Sequence, residues 1–199
     1  MGSVRRIVSV LLIALPILAA ALAPPADPAV ERAERRAHAF RRLHGAGAAS
    51  IEVRKRERRL SVRLDGRVVW STRVGLGTAP EGRKRAEGDR RTPEGDYFVC
   101  TRNAQSRFHL FLGLSYPNTQ DAEAGVREGR IGPHDRVRID HALSSGTAPP
   151  WDTPLGGEVG LHGHGASRDW THGCVALEDE DVELLWGLCP LGTPVRILP

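Results

Sequence analysis

Residues 160–174, GLHGHGASRDWTHGC, decide the fold and the chemistry of this chain. The stretch holds three of the eight histidines and one of the three cysteines, with glycines between them. A thiol is mostly protonated at neutral pH, so a nucleophilic cysteine needs a nearby base or positive charge. Imidazole supplies such a base near neutral pH. The pattern therefore indicates a cysteine nucleophile that a histidine activates.

Other interpretations of this stretch stay open on the residues alone. Zinc is one of them, because imidazole and thiolate are ligand types that suit this ion. Its candidate ligands are His162, His164, His172 and Cys174, whose spacing matches no standard structural zinc site. Alternatively, Cys174 belongs to a disulfide and the histidines are surface residues. A binding domain without activity is a further alternative.

Apolar and polar residues alternate outside this stretch, which is typical of β-strands. We predict strands near residues 51–53, 60–64, 68–74, 96–102, 108–114, 159–161 and 194–198. Asp65-Gly66 is a two-residue hairpin signal between the second and third of them. Short helices are predicted near 119–130, 137–143 and 179–186. Because no strand–helix–strand rhythm recurs, we predict a mainly β fold with short helices, of the α+β class.

The N-terminus carries the pattern of an export signal. Arg5 and Arg6 precede an apolar run over residues 7–23, which ends in small residues before Pro24. The run is long for a cleaved signal and short for a full membrane span. We therefore predict that residues 1–23 are either a signal peptide or an N-terminal membrane anchor. Both alternatives imply an exported protein of the periplasm or cell envelope, and the second adds association with the inner membrane.

Residues 24–47 are predicted to form a basic helical or linker segment. Apolar residues recur at helical spacing across 29–43, and arginines occupy the other face. Such a helix can lie on an anionic membrane, pack on the following domain or act as a mobile spacer. The main domain is predicted over residues 48–199, because the period of the apolar pattern changes from helical to two near residue 50.

Arginine dominates the basic residues. The formal net charge is +4, and all 28 basic residues except Lys55 and Lys84 are arginines. Compositional bias of the genome explains this usage, and attraction to an anionic partner is the alternative. Aromatic residues make up only 5% of the chain, and no motif for nucleic-acid binding is present. We therefore expect no nucleic-acid partner.

Export affects the interpretation of the three cysteines, because exported proteins meet an oxidising environment. If Cys174 is kept free, Cys100 and Cys189 are left as a possible pair. A disulfide between them and two buried free thiols are equally compatible with the sequence, since sequence alone does not place two cysteines within bonding distance.

Residues 51–199 resemble the catalytic domain of the L,D-transpeptidase family, of the YkuD or ErfK type. The signature of that family is a His-Gly pair followed by Ser/Thr-x-Gly-Cys, which here are His162-Gly163 and residues 171–174, THGC. Further matching stretches are GDRRTPEG at 88–95, FHL at 108–110, SYPN at 115–118 and GTPVRI at 192–197. The resemblance implies an L,D-transpeptidase-type β-sandwich catalytic domain.

The resemblance also implies chemistry on peptidoglycan stem peptides, as donor and acceptor. In this family a cysteine thiolate attacks the carbonyl that follows a diaminopimelate residue and forms a thioester. An amine of a second stem or of a wall-attached protein resolves the thioester, and water does so in hydrolytic members. Carried over to this chain, Cys174 is the nucleophile and His162 is the general base. The chemistry requires neither a metal nor a cofactor.

Four further positions match the family motif. Gly163 and Gly173 are predicted to shape the backbone around the substrate, and Thr171 with His172 is predicted to orient the loop. The N–H groups of Gly173 and Cys174 are the expected donors to an oxyanion. The role of His164 stays open.

One departure concerns the residues that follow the cysteine. Many members carry arginine or asparagine there, whereas this chain has VALE at 175–178. The contact with a substrate carboxylate then falls to Arg168 or Arg91. This version is similar to the branch that contains YafK-type proteins, in which a hydrolase cutting bonds to diaminopimelate is the alternative function. A zinc-dependent wall peptidase or binding domain is the alternative from a different class.

Overall fold

The computed structural model describes residues 27–199, so the predicted export signal lies outside the described residues. In the described part of the chain, eight strands form one mixed sheet, and four helices accompany it. The strands are β1 (Ala49–Arg54), β2 (Arg59–Leu64), β3 (Arg67–Arg73), β4 (Gly95–Ser106), β5 (His109–Leu114), β6 (Gly160–His162), β7 (Val175–Ala176) and β8 (Pro194–Leu198). Their order in the sheet is β3-β2-β1-β8-β4-β5-β6-β7. The α+β prediction is confirmed.

The hairpin between β2 and β3 has the predicted turn. Asp65 and Gly66 adopt positive φ angles of 48° and 79°, as a two-residue turn of the type that fits twisted strands requires. On the other side of β2, the antiparallel pairing with β1 sets Ile51 opposite Val62 and Val53 opposite Leu60. All four side chains are buried, so the alternation predicted from the sequence forms one face of the core.

The predicted N-terminal helix is α1 (Pro28–His44), and it packs on α4 (Asp179–Leu188). Its small residues Ala33 and Ala37 are buried against Gly187, where a side chain would collide with the backbone of α1. On the same side, Arg32 forms an ion pair of 2.8 Å with the buried Glu183. Of the three alternatives for this helix, packing on the domain is therefore the observed one.

Helices α2 (Thr119–Arg127) and α3 (Pro133–Ser144) form an insertion between β5 and β6. They enclose a small second core of Ala122, Ile131, Ile139 and Leu155. Helix α3 begins earlier than predicted because Pro133 occupies its first turn, where a missing N–H and a fixed φ cost nothing. None of the helices in residues 27–199 is long and apolar enough to cross a membrane.

The two ends of the sheet meet beside the stretch at 160–174. After β3 the chain pairs Gly75 with Ala176 of β7, and Gly77 with Thr171. A side chain at Gly77 would collide with the carbonyl of Arg90, so the backbones approach closely there. The loop over residues 75–94 is thereby held against the turn that carries Cys174.

Candidate active site

His162 is the last residue of β6, and its ring is buried. Its Nδ1 lies 2.8 Å from the carbonyl oxygen of Gly163. Because a carbonyl only accepts hydrogen bonds, Nδ1 carries the proton and the lone pair of the neutral ring is on Nε2. The ring stacks on Phe108 at 4.7 Å between centroids and meets Trp170 edge-on at 5.5 Å. The imidazole is thus fixed in the tautomer of a general base.

Burial also sets the charge of this ring. Loss of hydration lowers the pKa of His162, and the nearby His164 lowers it further, while the bond to Gly163 opposes the shift. A lowered pKa keeps the imidazole neutral at pH 7. It is therefore able to accept a proton.

Cys174 lies one residue before β7, on the same face of the sheet as His162. Strands β6 and β7 pair in parallel, with Leu161 beside Val175 and His162 beside Ala176. Because side chains alternate along a strand, positions 174 and 176 share the face of His162. The thiol of Cys174 donates to the carbonyl of Glu158 at 3.5 Å.

The thiol is protonated at rest. Burial raises the pKa of Cys174 to about 11, although the Gly160 amide and the Lys84 ammonium oppose this rise. Since the pKa of His162 is lowered, both groups are neutral at rest, the thiol protonated and the imidazole uncharged. A thiol in this state becomes nucleophilic only as its proton is removed.

Thr171 holds the turn that presents the cysteine. Its hydroxyl donates to the carbonyl of Cys174 at 2.7 Å and accepts the N–H of Gly173 at 3.1 Å. Gly173 has a φ of 141°, and a Cβ there would come within 2.8 Å of the Arg91 carbonyl oxygen. Glycine is required at this position both by conformation and by space.

This turn corrects the expectation for the oxyanion donors. The N–H of Gly173 is occupied by Thr171 Oγ1, so it is not free for a substrate oxygen. The N–H of Cys174 has no acceptor among residues 27–199. Of the two predicted donors, only the Cys174 amide is therefore available in this structure.

The remaining predicted residues surround this centre without converging on it. Gly163 is buried, and its N–H bonds to the Phe108 carbonyl at 3.0 Å. His172 and His164 are exposed, and so is the side chain of Arg168. Arg91 is half-buried, in the loop over residues 75–94, with its own N–H bonded to Asp89 at 3.0 Å.

The zinc alternative does not match this geometry. Within residues 27–199, no three His, Cys, Asp or Glu side chains are grouped so that they could hold a metal ion. Nδ1 of His162 is occupied by the Gly163 carbonyl, and His164 and His172 are directed to solvent. All three cysteines, which lie in the described range, are free thiols.

Sequence reasoning missed two groups that shape the site. Trp170 covers the ring of His162, and its indole N–H bonds to the Gly165 carbonyl at 3.0 Å. Asp169 accepts the N–H of Leu76 at 2.9 Å and pairs with Arg58 at 2.7 Å, which joins the loop to the sheet. Both residues stand within the GLHGHGASRDWTHGC stretch, but nothing local in the sequence indicates their partners.

The sequence model of the YkuD L,D-transpeptidase catalytic domain matches residues 48–197. The chain belongs to this family, as its motifs predicted. Among curated proteins, none matches the chain. The similarity to the YafK-type branch and the domain limits at 23 and 47 stay predictions.

Several solved structures are similar to this chain. A Bdellovibrio bacteriovorus protein has 23% identity and a TM-score of 0.49, with 78% of this chain and 49% of that one covered. The L,D-transpeptidase from Xylanimonas cellulosilytica has 17% identity and a TM-score of 0.45, with coverages of 83% and 76%. The L,D-transpeptidase from Stackebrandtia nassauensis has 15% identity and a TM-score of 0.46, with 76% of this chain and 56% of that one covered. The chain spans about half the length of the Bdellovibrio protein.

Proposed function

We propose that this protein is an exported, cysteine-dependent L,D-transpeptidase that acts on peptidoglycan stem peptides through a thioester acyl-enzyme. One observation carries the proposal. In a chain of this family, a Cys174 thiol and a His162 ring with a free Nε2 lone pair lie on the same face of paired strands. The pair provides the nucleophile and the base that acyl transfer needs.

The first half-reaction follows from the protonation states at rest. His162 Nε2 takes the proton of the Cys174 thiol as Sγ attacks the carbonyl carbon that follows diaminopimelate. The developing oxyanion accepts the Cys174 N–H, the free backbone donor at the turn. His162 then returns the proton to the departing nitrogen, so that the terminal D-amino acid leaves as a neutral amine and the thioester remains.

The second half-reaction uses the same groups in reverse. The amine of an acceptor stem, or of a wall-attached protein, attacks the thioester carbon, and His162 accepts the amine proton. Collapse of the intermediate expels the Cys174 sulfur, which recovers its proton from His162. The products are a new amide bond and the resting thiol. Water in place of the amine gives a hydrolysed stem and the same resting enzyme.

Two arginines and the N-terminus complete the proposal. The exposed guanidinium of Arg168 and that of Arg91 are the candidates for binding a substrate carboxylate, since such a fork suits a carboxylate. The charged start and apolar run over residues 5–23 support export to the periplasm or cell envelope, either cleaved or anchored in the inner membrane.

The experiment is incubation of the purified domain with tetrapeptide muropeptides, followed by mass spectrometry. We expect cross-linked dimers together with released D-amino acid. Tripeptide products without dimers would assign the hydrolase instead. A carbapenem provides a second probe, which we expect to add its mass to the peptide that contains Cys174. If the protein neither turns over muropeptides nor forms a carbapenem adduct, the cysteine mechanism is refuted.

A further inference from the structure

The two lysines of this chain occupy unusual positions. All other basic residues are arginines, yet Lys55 and Lys84 are both buried, at 2% and 3% exposure. Lys55 donates to the carbonyls of Gly82 and Thr92 and to the carboxylate of Glu94, at 2.6 to 2.9 Å. A compact ammonium suits convergent oxygen acceptors, whereas a planar guanidinium does not. Lysine in this arginine-rich chain thus marks two sites that need a buried point charge.

The side chain of Lys84 packs beside the turn that presents Cys174. Its Nζ donates to the Ala86 carbonyl at 2.9 Å and to Asp89 at 3.0 Å, which fixes the ammonium in the loop over residues 75–94. Its side-chain Cδ is 3.9 Å from the position that a Cβ on Gly173 would take. The buried stem therefore packs against the turn whose next residue is Cys174.

The charged and titratable groups around the thiol act in different directions. From the loop, the Lys84 ammonium lowers the pKa of Cys174, and from the segment before β6 the Glu158 carboxylate raises it. Glu158 is exposed, so solvent screens its charge, whereas Lys84 is buried and little screened. The pKa of His162 on β6 is shifted by burial and by His164 and not by Lys84. The Lys84 ammonium thus favours the thiolate form of Cys174, and it has no corresponding effect on the pKa of His162.

Asp89 and Tyr116 are the other groups against this ammonium. The carboxylate of Asp89 is shared with the backbone N–H groups of Arg85, Ala86 and Arg91, and the Tyr116 ring centroid lies 5.9 Å from Nζ. Hydrogen bonds from backbone and lysine lower the pKa of Asp89, so the carboxylate is ionised. The Asp89 carboxylate accepts four hydrogen bonds, one from the Lys84 ammonium and three from backbone N–H groups, and it thereby fixes the ammonium.

We propose that Lys84, whose buried stem packs against the Gly173–Cys174 turn and whose ammonium is fixed by Ala86 and Asp89, stabilises the Cys174 thiolate once His162 has taken its proton. This inference rests on Cys174 being the nucleophile of the proposed function. It assigns a role to the lysine of the loop and not to substrate binding. The arginines of that loop do not replace it, because a guanidinium does not fit its buried acceptors.

The test is alkylation of Cys174 by iodoacetamide between pH 7.5 and 9.5, with the modified peptide identified by mass spectrometry. Below the thiol pKa, the rate is proportional to the thiolate fraction. Each unit of increase in pKa lowers that fraction tenfold and raises intrinsic nucleophilicity about threefold, for a net loss of about threefold. We expect Lys84→Met to slow alkylation about three- to tenfold across this range, equivalent to a shift of about one to two units.

Lys55→Met is the matched control, because it also removes a buried ammonium that binds a carbonyl and a carboxylate. Both variants are expected to lower the melting temperature, but only Lys84→Met slows alkylation. Lys84→Arg keeps the charge without the fit to the buried acceptors, and where it folds we expect its alkylation rate to lie between those of Lys84→Met and the wild type. Should Lys84→Met not fold, Lys84→Gln keeps a donor and removes the charge, and it is judged by the same comparison.

An unchanged rate in the folded neutral variant, or equal slowing in Lys55→Met, overturns the inference. The assay needs no peptidoglycan substrate. If muropeptides are not turned over, the proposed function fails, while the alkylation rates still decide the role of Lys84.

Discussion

Cys174 and Cys189 are thiols with similar resting acidity and different surroundings. Burial raises the pKa of Cys174 to about 11 and that of Cys189 to about 12. Cys189 is fully buried at the end of α4, within the apolar core. Cys174 lies where the ends of the sheet meet, with an imidazole on the same face and a free amide of its own.

The difference shows that a lowered resting pKa does not distinguish the proposed nucleophile from the buried thiol of the core. Both thiols are protonated at neutral pH, and burial is the reason in both cases. Cys174, unlike Cys189, has a histidine with a defined lone pair on the same face of the sheet and a backbone N–H without an acceptor in the described residues. Reactivity is therefore a property of the neighbours and is assembled by the tertiary structure.

The largest expected effect comes from removing the sulfur. Cys174→Ala should reduce muropeptide turnover by about 10⁴-fold or more, because no other group can form the thioester. Mass spectrometry of the products and of the carbapenem adduct provides the measurement. Retention of either activity in this variant would contradict the assignment of the nucleophile.

The next effect concerns the base. His162→Gln should lower the rate of turnover by about 10²- to 10⁴-fold, since the protonated thiol then lacks an acceptor for its proton. The loss should shrink as pH rises toward 11, because hydroxide then forms the thiolate directly. A rate that is unchanged at neutral pH would rule out His162 as the base.

The pH dependence of the wild type sharpens this point. Because burial lowers the pKa of His162 below its ordinary 6.5, the acid limb of turnover should lie below pH 6.5. The lowered pKa of His162 also makes folding depend on pH. As the pH falls, the imidazole of the unfolded chain binds a proton at a higher pH than that of the folded chain. The stability it contributes is present above pH 6.5 and is lost as pH falls through the folded pKa. Urea unfolding at several pH values should show this loss in wild type, and His162→Gln should show less of it.

A smaller effect is expected at the turn. Thr171→Val leaves the buried N–H of Gly173 without an acceptor and should cost about 1–3 kcal/mol of folding free energy. Turnover should fall about tenfold to a hundredfold as Cys174 shifts. Thr171→Ser keeps the hydroxyl and is the matched control. Equal behaviour of the two variants would show that the hydroxyl does not hold the turn.

The smallest effect should come from the other thiol. Cys189→Ala should leave turnover within about twofold of wild type, while a small cavity costs about 1 kcal/mol of stability. Denaturant unfolding and the muropeptide assay measure the two quantities. A loss of turnover that exceeds the loss of stability would mean that Cys189 takes part in the site.

Much of the fold could be predicted because its signals are local. The hairpin at Asp65-Gly66 needs only a turn with positive φ between alternating segments, and the alternation at Ile51 and Val53 identifies β1. The predicted helix near 137–143 begins in fact at Pro133, four residues earlier than the apolar spacing indicates. The packing of α1 on α4 was left open, since its alanines are compatible with several surfaces.

For the candidate site too, local features are predictable from the sequence and contacts between distant segments are not. Residues 160–174 contain the histidine, the cysteine and the glycine of the turn within one short stretch, so their chemical types are evident without a structure. The contact of Lys84 with Gly173 joins segments far apart in sequence, and no periodicity encodes it. The bond from the Gly173 N–H to the Thr171 hydroxyl is a contact that the motif does not indicate, and the role of Gly173 toward an oxyanion stays a prediction.

The family, the α+β class and the candidate reactive groups are all predictable from the sequence, because motif spacing and strand alternation are properties of neighbouring residues. Only the folded chain shows which imidazole shares a face with the thiol, which amide is free and which lysine packs beside the turn. Burial sets the protonation of Cys174 and His162, and burial exists only once the ends of the sheet have met.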